Sequence, residues 1–164
     1  MVRELAENMG RLSATNAFSM PSSDVQLRDL TASEYVRLPP LIRLLEPDLP
    51  EALIVERIAL LQARGWRCLG AFNAQGSLLG VAGYSVLSHL FSGPVLYVEN
   101  VVLLPAARGG GLGRQLMAWL KNHAMASGCR KITLDAYQKN AAAQAFYQRL
   151  GYDPRGVHFV LDLD

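Results

Sequence analysis

Residues 108–117 read RGGGLGRQLM, four glycines followed at once by helix-forming residues. Such a loop can take an anion, because first-turn N–H groups lack intrahelical partners and the helix dipole turns its positive end toward incoming charge. Missing side chains let the backbone approach a phosphate closely. A Walker-type loop is excluded, since no GK[ST] supplies the phosphate lysine and the magnesium-binding hydroxyl. A dinucleotide fingerprint also fails: read from Gly109 or Gly111, the third glycine position falls on Arg114 or Leu116. A second chemical signal is Glu99, in PVLYVENVVLLP. Strand alternation puts it in one row with Tyr97, Val101 and Leu103, an otherwise apolar row where a carboxylate needs a reason to be present. That reason is either base chemistry or an ordinary structural hydrogen bond.

The elements that must position these residues follow from pattern. VQLRDL alternates like a strand, and Thr31 with Glu34 forms a capping box opening ASEYVRLPPLIRLL, which Pro39 and Pro40 should kink or split. PEALIVERIALLQARG has helical apolar spacing with proline at its start and Gly65 at its end. WRCLGAF, SLLGVAGYSVLSHL and PVLYVENVVLLP read as neighbouring antiparallel strands, the first two joined by the NAQG turn. Leu112, Leu116, Trp119 and Leu120 mark one face of a helix ending near Gly128. KITLDAY is a strand, AAAQAFYQRL a helix closed by Gly151, and VHFVLDL a last strand. The fold class expected is a single α/β domain over residues 24–164, with a mixed, mostly antiparallel sheet flanked by helices. Residues 1–23 read as a partly flexible N-terminal extension.

Composition narrows the partners. With 51% hydrophobic and 18% charged residues the chain suits one compact domain. A net charge of +2, from scattered Lys and Arg, gives no stripe for nucleic acid or anionic lipid. Cys68 and Cys129, and His89, His123 and His158, fall in no metal-ligand spacing, so no metal is assigned. No apolar run reaches the ~18 residues of a membrane span, and the first segment lacks a signal-peptide core. A cytoplasmic protein is expected.

Arg108, Gly111 and Gly113 fit R-x-x-G-x-G, which resembles the phosphate-binding motif of the GNAT N-acetyltransferase family. The longer YVENVVLLPAARGGGLGRQLM looks like that family's strand-loop-helix, and NAAAQAFYQRLGY resembles its second signature, N-x-x-A-x-x-F-Y-x-x-x-G-[FY]. The resemblance runs from about residue 25 to the end. It implies that the central strands splay, that Val101, Val102 and Leu103 offer backbone groups to the pantetheine arm of acetyl-CoA, and that amides from Gly109 through Gly110, Gly111, Leu112 and Gly113 to Arg114 close around its diphosphate. Arg108 would contact phosphate or brace the loop. By the same resemblance Glu99 matches a glutamate that deprotonates the amine, Tyr147 a tyrosine that protonates the thiolate and contacts cofactor, and Asn140 either lies near the cofactor or caps its helix.

The implied activity is transfer of acetyl to a primary amine by direct attack in a ternary complex. No cysteine occupies a signature position for an acyl-enzyme. The acceptor is a small-molecule amine or a protein or peptide amine. Glu46, Asp48 and Glu51 near the expected entrance favour a cationic one, or form a solvated acidic loop. Homodimers are common in the family. The competing reading is an acetyl-CoA-binding sensor or interaction module without turnover.

Overall fold

The computed structural model describes residues 25–163, so the expected extension over residues 1–23 lies outside the described residues. Five strands, β1 (Gln26–Asp29), β2 (Arg67–Phe72), β3 (Leu78–His89), β4 (Gly93–Leu103) and β5 (Lys131–Leu134), form one sheet in sequence order. The first four are antiparallel, and β5 is parallel to β4. Between β1 and β2 lie a 3-10 turn (Ala32–Arg37), α1 (Pro39–Ile42) and α2 (Glu51–Ala63). The long helix α3 (Leu112–Ala126) crosses from β4 to β5, and α4 (Ala141–Arg149) follows.

The capping box forms, with the Glu34 carboxylate accepting from the Thr31 N–H at 2.9 Å, but the prolines divide the expected helix into the 3-10 turn and the short α1. On one face of the sheet, Leu38, Leu41, Ile54 and Ile58 pack with Trp66, Cys68, Phe72, Val81 and Val102. On the other, Leu112, Leu116 and Leu120 of α3 cover Leu69, Ala82, Tyr84, Leu96 and Val98. Leu116 and Leu120 are fully buried, each contributing about 2 kcal/mol of apolar burial. The sheet is thus covered on both sides.

Two irregularities in β4 decide what the site looks like. Its pairing with β5 stops at Val98–Leu134, while β4 runs on to Leu103, so the strands part over residues 99–103. Opposite β3, Glu99 faces Gly83 and Val102 faces Val81, leaving Asn100 and Val101 against Ala82 alone. This two-against-one count is a β-bulge, and Asn100 takes the left-handed conformation at φ 53°. A bulge advances the side-chain alternation by one. Val98, Val101 and Leu103 therefore all pack toward α3, whereas Val102 packs toward α2. The expected row uniting Glu99 with Val101 and Leu103 is corrected: Glu99 stays with Tyr97 on the α2 face.

The last strand expected from VHFVLDL does not form, and residues 152–163 carry no regular structure. Alternation in sequence makes a strand only where a ladder partner and a covering layer exist. Here Val157, Phe159, Val160, Leu161 and Leu163 remain 65–90% exposed.

Candidate active site

The glycine loop connects β4 to α3 through a short 3-10 turn over Pro105–Ala107. Gly109 and Gly111 have φ of 82° and 83°, a region that disfavours any L side chain, and Gly111 is the N-cap of α3. Gly113 is a packing glycine, since a Cβ there would sit 3.2 Å from Phe146 of α4 and 3.7 Å from Leu103. Gly110 is different. It has no positive φ, and a Cβ on it would meet nothing within 4 Å. Its missing side chain serves neither backbone nor packing, and keeps open the space in front of the helix. The Leu112, Gly113 and Arg114 amides lie in the first turn of α3, where helix geometry leaves N–H groups without intrahelical partners. The donors, dipole and open space fit a diphosphate. Arg108 braces the loop on β4, its Nε donating to the Leu103 carbonyl at 3.2 Å.

On the opposite face a cavity of about 200 Å³ lies under α2, lined by Leu49, Ile54 and Ile58 with Glu46, Arg57, Trp66 and Asn100. Of the three acidic residues expected at the entrance, Glu46 alone belongs to this lining; Asp48 and Glu51 do not. Glu99 stands on the same side of β4, next to Asn100 and opposite Gly83. Burial raises its pKa above the usual carboxylate range, and the Trp66 indole opposes part of that rise. Tyr97, its row neighbour, donates to Asp135 at 2.7 Å across the strand gap; burial and that carboxylate push its pKa up to about 12.

Tyr147 lies in α4, in the cluster on the α3 face, with its ring against Phe146 and Tyr152 at 5.2 and 5.8 Å. Burial raises its pKa. Asn140 is the N-cap of α4, its Oδ1 accepting from the Ala143 N–H at 3.0 Å. The sites therefore fall into two groups. Leu103, Arg108, Gly113 and the Phe146–Tyr147 corner meet on the α3 face, while Glu99 and Asn100 sit on the α2 face. The gap where β4 leaves β5 opens the sheet between them.

Sequence reasoning missed Asn100, Trp66 and Gly83. Asn inside a strand is a bulge signal because it tolerates the left-handed region, and Gly inside a strand signals close approach of another group. Trp66 gave no signal, because its role depends on a contact across strands.

A profile of the acetyltransferase (GNAT) family matches residues 27–152. Glucosamine 6-phosphate N-acetyltransferase 1 of Oryza sativa subsp. japonica is 32% identical over 120 residues, covering 70% of this chain and 71% of that protein. Aminoglycoside N(6')-acetyltransferase type 1 of Salmonella typhimurium is 30% identical over 84 residues, covering 49% of this chain; the match spans only 58% of that relative's length. Among solved structures, an acetyltransferase of Trypanosoma brucei superposes with a TM-score of 0.69 at 27% identity, over 85% of this chain and all of that one. The aminoglycoside enzyme AAC(6')-Iy, bound to the bisubstrate analogue CoA-S-monomethyl-acetylneamine, reaches 0.72 at 25% identity, over 87% of this chain and all of its own. The strand gap, the glycine loop on α3 and the profile match over most of the chain lead to one conclusion: the protein belongs to the acetyltransferase (GNAT) family.

Proposed function

We propose that this chain is an acetyl-CoA-dependent N-acetyltransferase acting on a primary amine of a small molecule, by direct attack in a ternary complex. One observation carries the proposal: a single strand, β4, presents a half-buried carboxylate beside a cavity at its bulge and leads into an open glycine cradle at its end.

Acetyl-CoA supplies the activated acetyl as a thioester. The glycine-loop amides from Gly109 to Arg114 hold its diphosphate, and the backbone of Val101, Val102 and Leu103, freed by the strand gap, holds its arm. An N–H in that stretch also meets negative charge developing on the thioester oxygen. A primary ammonium has a pKa of about 10.4, so at pH 7 fewer than about one molecule in a thousand is neutral. Glu99 takes the proton, directly or through water, and its burial makes it a stronger base than an exposed glutamate. Tyr147 faces the leaving thiolate. With reference pKa values of about 10 and 8.5, full proton transfer from a phenol to a thiolate is uphill by about 2 kcal/mol, so a strong hydrogen bond is its main contribution. Direct attack is supported by Cys68, whose thiol is pushed up to about 12 by burial and so yields almost no thiolate nucleophile at neutral pH.

The small-molecule acceptor is supported by Glu46 and Arg57 in the cavity lining, which suit an amine-bearing substrate that also carries an anionic or hydroxylated part. The relatives named for aminoglycosides and glucosamine 6-phosphate point the same way. Cytoplasmic action belongs to the same reading and is consistent with two free cysteines. So does a homodimer that covers the exposed apolar residues of the C-terminal segment.

The test is thiol release from acetyl-CoA across aminoglycosides, amino sugars, polyamines, amino acids and lysine peptides, with Tyr147→Phe alongside. Release with one small-molecule class, reduced on the order of 100-fold in the variant with little change in acetyl-CoA affinity, is expected. Release with peptides alone overturns the small-molecule acceptor. Binding of acetyl-CoA with no product from any amine supports the sensor instead.

A further inference from the structure

Trp66 is 4% exposed, and its Nε1 is a buried donor with no hydrogen-bond partner of normal geometry among the described residues. A buried donor left unpaired is costly, on the order of 1–3 kcal/mol, so its surroundings need an account. The indole crowds Gly83: a Cβ at that glycine would stand 2.4–2.7 Å from Cζ2, Cε2 and Nε1. Gly83 is the residue directly opposite Glu99. Side chains of directly opposed residues in an antiparallel pair rise on the same face, about 5 Å apart at Cβ. Glycine at 83 therefore gives the indole the space beside Glu99 that an opposing side chain would fill.

We infer that Trp66 is a positioning residue for Glu99: its indole N–H, held over Gly83, donates to the ionised carboxylate and fixes where it points. This rests on reading Glu99 as the base of the reaction. Trp66 also lines the cavity, as does Asn100, the residue that follows Glu99. Other charged or titratable groups on this side are Glu46, near the start of α2, Arg57 of α2, Tyr97 in Glu99's own row, which is engaged with Asp135, the buried Cys68, and Arg28, Glu34 and Arg37 around Phe72. The Tyr35 ring packs against the indole at 6.0 Å. Burial disfavours the charged form of Glu99 and raises its pKa, and the indole donor offsets part of that rise.

The pairing is testable in the full chain without turnover. In ¹⁵N-labelled protein the Trp66 indole N–H should move downfield as Glu99 ionises, at a pH above that of an ordinary glutamate, and Glu99→Gln should abolish that titration. Trp119, the other tryptophan, stacks on His123 at 5.1 Å, and its signal is assigned by its loss in Trp119→Phe. A flat Trp66 signal, or one that titrates unchanged in Glu99→Gln, overturns the inference. For the role itself, Trp66→Phe should move the acidic limb of kcat/KM up by about one pH unit, a loss of about tenfold on the acidic side, with KM for acetyl-CoA little changed. A uniform loss of kcat at every pH indicates packing alone and overturns it. Should Trp66→Phe not fold, the titration in the unsubstituted protein decides. Should the indole track Glu99 while no amine is acetylated, the pairing stands and the proposed activity is what fails.

Discussion

An exposed glutamate ionises near pH 4.3 and is a feeble base at neutral pH; moving Glu99 under α2 penalises its charged form and raises its pKa. The same shift bears on stability. A carboxyl whose folded pKa is raised stabilises the fold fully below its unfolded pKa, and that contribution is lost as pH rises through the folded pKa. Once ionised, Glu99 therefore costs stability. Glu99→Gln should raise the Tm at pH 7, with the gain fading toward pH 4, while flattening the acidic limb of kcat/KM and lowering activity on the order of 100-fold. A lower Tm at pH 7, or an unchanged pH profile, rejects the base assignment. Glu99 was legible in sequence because a lone carboxylate in an apolar strand is an anomaly wherever the fold puts it. Trp66 was not, because an orphaned indole N–H exists only once Gly83 and Glu99 face each other across strands.

The glycine loop separates two demands that sequence alone runs together. Gly109 and Gly111 answer to backbone conformation, and alanine at either is strained by about 1 kcal/mol. Gly110 answers to neither backbone conformation nor packing, and the proposed function assigns its open space to the ligand. Gly110→Ala should leave the Tm within about 1 °C and weaken acetyl-CoA on the order of tenfold, whereas Gly109→Ala should lower the Tm by several degrees; calorimetry and equilibrium binding separate them. Equal loss of Tm in both variants removes the ligand argument for Gly110. Most elements were readable because their signals are local: the NAQG turn closes with Gly76 N–H donating to the Asn73 carbonyl, Asn140 caps α4, and Gly151 ends it at φ 87°. The bulge was misread because period-two alternation carries no mark where a residue is inserted, and one insertion moved Val101 and Leu103 to the other face from Glu99.

At the scale of the whole molecule, the described chain leaves one strand-length segment uncovered. Val157, Phe159, Leu161 and Leu163 alternate with His158, Val160 and Asp162, and the four apolar side chains are 65–90% exposed. Apolar surface this continuous is unusual on a monomer. β5 ends the sheet, its outer edge without a neighbour among the described residues, and His158 reaches Asp135 just beyond it at 3.3 Å. The alternation that failed to make a strand in one chain is what a second copy would complete, by covering the apolar row and pairing the edge. In sedimentation equilibrium at about 50 µM the protein should therefore run as a dimer, and Phe159→Asp with Leu161→Asp should convert it to a monomer with the same far-ultraviolet dichroism. A monomer before substitution means the segment is covered by its own chain or stays in solvent, and ends the dimer reading. A dimer that survives both aspartates means that the contact lies elsewhere, with the β3–β4 hairpin tip, where Leu90 and Phe91 are 91% and 98% exposed, the next surface to substitute.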